Sequence, residues 1–529
     1  MTTKLSDDSN NHYIQLSNVK NGDIFTHSVC LLKGQINAED RRCTGGKILL
    51  HQAKDNLKEV LVASEWEVTD WGEFRCLFSF KSGPNQIRLL WKCPTCGYDA
   101  QLTIQLYYEE RNTSYKVLPL WIVCQDSEEE SKENILEENL ERVYLMALLA
   151  QCVTSECLWD KGFGRSSIFC LEPKVAVFKS QLTSCNALSM NHEALWQYLA
   201  RELMSSHLAS QQTKYLAFLS CTRYEMPVDD AASKKRAGRI KGHVALGAGG
   251  LALLGTASIH TWPRSLPDVL PHFLDSTPVD TKKYFDDSCR RGTYGGCFAT
   301  AVGSVCHELG HTFDLGHTQN GIMGRGFHHI QKIFILPQHN EDTAVKRSCS
   351  EKLVLNNISL EFKKQNSSTS STAHLNTDIN ISWSQPKKEF SSSSFSQMKK
   401  IKEKQQFLAG PSSKKPSKNE EFPFWSNGCA AILAYHRWFN DFPVQTNNPE
   451  MITFNKQMRC ISSAAGLRVV QIRNDSNGGA VMSSWQFLGP RGRSQFLIPS
   501  AFSFPKPNSQ AILSVVAEDS VGNILKDKF

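Results

Sequence analysis

The stretch that decides the fold is VCHELGHTFDLGHTQNGIMGRGF, residues 305–327. His307 and His311 stand four apart, so on a helix they share one face, one turn above the other. Zinc takes ligands at about 2 Å in a tetrahedron, and this spacing offers it two imidazoles. Glu308 lies one residue round from His307. It is badly placed to ligate the same ion but can reach a water in an open coordination position, where it would act as a general base while zinc lowers that water's pKa toward about 7. Phe298, Val302, Val305, Leu309 and Phe313 recur every three or four residues, giving the helix an apolar flank on which Cys306 reads as core. A chance His-Glu-x-x-His is rare in a chain with 16 histidines, and a further histidine at a fitting distance is rarer.

That further histidine is His317. A helix advances about 1.5 Å and 100° per residue, so a helix running on from His311 would carry His317 about 9 Å along and to the wrong side. The spacing therefore predicts a break between Phe313 and His317, with a residue in the left-handed conformation. Glycine adopts it without steric cost and aspartate is among the next most tolerant. Gly316 is the favoured candidate, Asp314 the second.

Working outward, GIMGRGF carries Met323 shortly after His317, and GAGGLALLGTASIHTWP precedes the helix. Together these blocks resemble the metzincin clan of zinc metallopeptidases, whose pattern is His-Glu-x-x-His-x-x-Gly-x-x-His followed by a methionine turn. Here Asp314 occupies the place of the clan's glycine. More narrowly, the blocks across about 240–330 are similar to a sparsely characterised eukaryotic family of zinc metallopeptidases. The resemblance implies a zincin-type catalytic domain with one catalytic Zn2+ on His307, His311 and His317, and Glu308 as base. It also implies Met323 as an apolar floor beneath the histidines, and a glycine-rich edge strand along the cleft. An exposed strand can pair with any extended peptide, and glycines let the backbones approach. Gly249, Gly250, Leu251 and Ala252 are the candidate substrate contacts, with a buried strand as the other reading.

The rest of the chain reads as four regions. Residues 1–115 show short alternating runs such as HYIQL, GKILLHQ and NQIRLLW with turn residues between them, the pattern of a β-sandwich. Residues 117–362 alternate β and α segments, the pattern of an α/β peptidase-type domain, closed by a helix within 421–445. Residues 450–529 return to strands as a small C-terminal β-domain. The expected class is thus multidomain α/β plus β. Residues 363–420 form a Ser/Lys-rich insertion of a composition that buries too little apolar surface to order itself.

Charge and cysteines narrow the function classes. The net charge of +7 is concentrated in that insertion, where residues 363–418 hold eleven lysines against three acids and the remainder carries −1. The near-neutral remainder argues against nucleic acid as a partner; a protein or peptide substrate is what the peptidase resemblance implies. The N-terminus MTTKLSDDSNNHYIQ has no apolar h-region and no run reaches membrane-span length. With 17 scattered cysteines this favours reduced thiols in cytosol or nucleus. Cys93-Pro-Thr-Cys96 is a metal-type pair, but a structural zinc site needs two more ligands and the sequence offers none at a telling distance. Two other readings stay open: a zinc-binding scaffold on a peptidase fold without activity, and a nuclear protease acting on DNA-bound proteins.

Overall fold

A computed structural model describes residues 12–38, 43–53, 60–127, 133–165, 168–225, 239–336, 422–441, 452–500, 502 and 512–528. The Ser/Lys-rich insertion lies outside the described residues. No helix among them is long and apolar enough to cross a membrane.

The chain is a mixed α/β structure of several sheets. It begins with β1 (Tyr13–Leu16), β2 (Ile24–Phe25), β3 (Val29–Asn37), β4 (Lys47–Ala53), β5 (Val60–Glu67), β6 (Glu73–Ser79), β7 (Gly83–Lys92) and β8 (Asp99–Tyr108). These strands make a three-stranded sheet, β1-β3-β6, and a five-stranded sheet, β2-β8-β7-β4-β5. In β7 the buried residues Ile87, Leu89 and Trp91 alternate with exposed ones, because successive side chains leave a strand on opposite faces. They meet Cys30, Leu32, Phe74 and Cys76 of the other sheet in one core.

Next come β9 (Lys116–Val123), α1 (Glu133–Asp160), β10 (Cys170–Leu171), β11 (Ala176–Lys179), α2 (Ser184–Ser189), α3 (His192–Met204), β12 (Thr213–Leu219), β13 (Arg223–Glu225), β14 (Arg239–Lys241), β15 (Ala245–Ala248) and β16 (Leu251–Gly255). The central sheet runs β10-β9-β12-β16-β15, with β11 also on β9. All its pairings are parallel except the last, β16 with β15. A sheet covered on both faces needs apolar residues on both. Trp121, Leu216, Phe218, Ala252 and Leu254 point into a core with α1, while Leu120, Ile122, Tyr215, Ala217 and Leu253 point into another with α3.

Then follow α4 (Val269–Leu274), α5 (Tyr294–Thr312) and α6 (Gln331–Phe334). After them, α7 (Asn427–Tyr435) carries an almost wholly buried run from Gly428 to Ala434. The chain ends in an antiparallel sheet centred on β18: β17 (Thr453–Asn455), β18 (Cys460–Asn474), β19 (Ala480–Gln486), β20 (Arg493–Leu497), β21 (Leu513–Asp519) and β22 (Ile524–Lys528).

One expectation is corrected. Leu251 and Ala252 are fully buried and belong to β16, an inner strand flanked by β12 and β15. Gly249 and Gly250 form the turn before it, Gly249 at φ 55°. The two glycines end a strand rather than lie within one. Among the described strands the sheet edge on this side is β15, Ala245–Ala248, running antiparallel to its neighbour.

Candidate metal centre

Helix α5 starts at Thr293, whose side chain accepts from the Gly296 N–H at 3.1 Å and so satisfies one of the helix's first amides. Phe298, Val302, Val305 and Leu309 seat it in the main core, where Cys306 is also buried. This fixes His307 and His311 on the opposite flank.

The helix ends where the spacing requires. The Asp314 N–H donates to the His311 carbonyl at 3.1 Å and the Leu315 N–H to the Gly310 carbonyl at 3.1 Å, a pair of bonds that closes a helix through one left-handed residue. That residue is Asp314, at φ 65°; Gly316, the candidate favoured by the sequence, has no positive φ. Gly316 is needed for space instead. A Cβ there would lie 2.7 Å from the Gly479 carbonyl oxygen and 2.8 Å from Arg473 Nε.

Asp314 is held from three directions. Its carboxylate takes His436 Nε2 at 3.3 Å and pairs with Lys526, while its carbonyl accepts from Arg473 at 2.7 Å. Burial pushes its pKa up, but Lys526, His436 and Lys214 outweigh burial and hold it well below the usual carboxylate range. The buried Lys214 ammonium donates to the Thr312 carbonyl at the same helix end and, at 3.3 Å, to Gly249.

The turn brings the three imidazoles together. His311 Nε2 lies 3.2 Å from His307 Nε2 and 3.2 Å from His317 Nε2. Each Nδ1 faces a backbone carbonyl: His307 to Ile322 at 2.7 Å, His311 to Leu315 at 2.9 Å, His317 to Gly478 at 2.5 Å. A carbonyl only accepts, so each Nδ1 carries the proton and each neutral ring turns an Nε2 lone pair inward. Burial lowers all three pKa values, and the two neighbouring rings push His311 down further.

Lone pairs converging at this distance repel unless a cation lies among them. Ligands about 2.0–2.1 Å from a tetrahedral ion stand about 3.3 Å apart, close to what is observed. The set therefore fits zinc, with the outer hydrogen bonds that orient metal-bound histidines already in place. Glu308 is half-buried beside this cluster. His317 is lowered by burial and by His307, and raised by the bond to Gly478 and by the nearby Glu308 carboxylate.

Met323 is 1 % exposed beneath the helix end, and a Cβ on Gly310 would stand 2.7 Å from its sulfur. Its turn supports the cluster directly, since Ile322 holds His307 and the Thr318 N–H donates to the Met323 carbonyl at 2.9 Å.

Sequence reasoning missed the part played by the C-terminal sheet. Gly478 orients His317, the Val481 N–H donates to the His317 carbonyl at 2.9 Å, and Arg473 and Lys526 hold Asp314. No local pattern marks a carbonyl 161 residues away as the partner of His317.

A family model described as "Metallopep: Putative peptidase family" matches residues 13–414. The chain belongs to this family. In Schizosaccharomyces pombe a protein named "Putative zinc metalloproteinase C607.06c" is 24% identical over 342 residues, 59% of this chain and 52% of that protein. In Saccharomyces cerevisiae one named "Putative zinc metalloproteinase YIL108W" is 34% identical over 100 residues, 18% of this chain and 14% of that protein. The chain thus spans about half the length of the first relative and much less of the second. A Paenibacillus sp. cycloisomaltooligosaccharide glucanotransferase structure aligns over 40% of this chain and 28% of its own at 10% identity, with a TM-score of 0.15, too low for any shared fold to be argued.

Proposed function

We propose that the chain is a zinc-dependent endopeptidase of metzincin type. His307, His311 and His317 would hold one catalytic Zn2+, and Glu308 would be the general base. The observation that carries this reading is the convergence of three Nε2 atoms, 3.2 Å apart from His311, each with its Nδ1 engaged by a carbonyl. Zinc bound there supplies Lewis acidity and an activated water.

The chain's own residues do the rest. Glu308 takes the proton from the attacking water and delivers it to the leaving amine. Met323 packs the floor under the ligands. The β15 edge offers backbone donors and acceptors to an extended peptide, which aligns a scissile carbonyl beside the helix. Its position supports this: a Cβ on Gly247 would lie 1.9 Å from the Glu308 carbonyl oxygen, so strand and helix touch. Ala245–Ala248 accordingly replace Gly249, Gly250, Leu251 and Ala252 as the substrate strand.

In this reading residues 117–362 and 421–445 make the peptidase unit, flanked by β units at 1–115 and 450–529. The test is to measure zinc in the purified chain and to screen a peptide library with and without a chelator. Chelator-sensitive internal cleavage is expected. Retained zinc with no cleavage of any peptide would instead support a binding scaffold.

A further inference from the structure

The pair Cys93 and Cys96 does not stand alone in the fold. His12 and Cys43 join it, and one ligand atom from each of the four residues lies within 4.8 Å of all the others. Cys96 Sγ is 3.3 Å from His12 Nε2. Zinc–sulfur bonds of about 2.3 Å in a tetrahedron put two sulfurs about 3.8 Å apart, so this spread matches a shared ion. His12, Cys43 and Cys93 are buried, while Cys96 is exposed.

The backbone around the pair is shaped for sulfur. The Cys96 N–H points at Cys93 Sγ at 3.5 Å, the Gly97 N–H donates to the Cys93 carbonyl at 3.0 Å, and the Cys93 N–H to the Tyr98 carbonyl at 2.8 Å. Gly97, at φ 74°, lets the chain double back immediately after the second sulfur. The His12 ring is stacked on Tyr98 and Trp91, with centroids at 5.0 and 5.9 Å. Three sulfurs and an imidazole at one point exceed what a disulfide can use, and every described cysteine is a free thiol.

We propose that His12, Cys43, Cys93 and Cys96 form a second, structural zinc site, separate from the three-histidine centre and independent of any peptidase activity. Four protein ligands close the coordination shell and leave no position for substrate, and the thiolate-rich set suits zinc over magnesium or calcium. The place of each ligand gives the site its role. His12 directly precedes β1 of the three-stranded sheet. Cys43 lies shortly before β4, and Cys93 and Cys96 occupy the β7–β8 turn of the five-stranded sheet. One ion therefore ties both sheets together at one end of their shared core and anchors the chain ahead of β1.

The test uses the full chain. The parent should carry two zinc ions and His311→Ala one. Cys93→Ser/Cys96→Ser should also carry one, with the histidine centre still filled. Cobalt exchanged into the parent and into His311→Ala should give a thiolate-to-cobalt charge-transfer band, a readout that needs no cysteine variant to fold. Zinc content that is unchanged in Cys93→Ser/Cys96→Ser, or cobalt-loaded His311→Ala without a thiolate band, would overturn the proposal. Recovery of the freshly purified chain with Cys93 and Cys96 joined as a disulfide would also overturn it.

Discussion

At the residue scale, Asp314 does more than turn the chain. A glycine can take φ 65° more easily, so turning alone predicts that Asp314→Gly is harmless. The carboxylate's partners predict otherwise, since Lys526 and His436 would lose their anion. Asp314→Gly should cost about 1–3 kcal/mol of stability, the range for leaving such groups unsatisfied, read as a lower melting temperature. Gly316→Val should lower zinc content, because its side chain would collide with Gly479 and Arg473 and displace His317. The sequence made the turn legible but not its author: glycine is the better guess from φ alone, and the partners that favour aspartate lie far along the chain.

Two buried histidines set a pH limit. Burial holds His27 and His436 at about 4, against about 6.5 in the unfolded chain. Between these values the unfolded state binds more protons, so stability rises with pH across that window. The contribution is complete above about pH 6.5 and lost as pH falls toward 4, at about 3 kcal/mol per residue as an upper figure. Urea unfolding midpoints should therefore fall steadily from pH 7 to pH 4.5. A flat profile would show that these rings are not held neutral.

At the element scale, α1 is fastened to the N-terminal sheets by charge as well as by packing. Glu156, buried on α1, pairs with Arg165 at 2.8 Å and Lys33 of β3 at 3.0 Å and accepts from Asn18 at 2.9 Å. Burial raises its pKa, and the two cations more than reverse this, leaving it ionised. Glu156→Gln removes the anion and strands a buried guanidinium, which should destabilise the chain by about 3–5 kcal/mol. Equilibrium unfolding measures this directly, and a change below 1 kcal/mol would contradict the assignment. The strands that alternate or run apolar, such as β7, β9 and β12, were legible because period and burial coincide. The strand read at Gly249–Ala252 spans the turn between β15 and β16, because two glycines read equally well as a close-approach strand and as a turn.

At the scale of the whole molecule, the three-histidine cluster is assembled from distant parts. Helix α5 supplies two histidines, the turn at Asp314 the third, and the C-terminal sheet the carbonyl that aims it. The first two were legible because the chemistry demands their spacing; the last was not, because tertiary packing alone makes the contact. The same holds for His12 and Cys43, which only the fold of the two N-terminal sheets brings to Cys93 and Cys96. Arg473→Met should loosen the joint between C-terminal sheet and helix end, since Arg473 donates to the Asp314 carbonyl. Its zinc affinity should fall by about 10–100-fold, the usual effect of losing a group that orients ligands, while the far β4–β7 core stays intact. Competition with a calibrated chelator measures the loss.

The central claim is that the three histidines hold the metal and Glu308 moves the proton. It is tested most directly by Glu308→Gln, measured for zinc content and for peptide hydrolysis in the same preparation. Zinc equal to the parent with hydrolysis reduced at least about 100-fold is expected, since a positioned base contributes about 10²–10⁴-fold. Hydrolysis at the parent's rate in a zinc-replete Glu308→Gln chain would contradict the account.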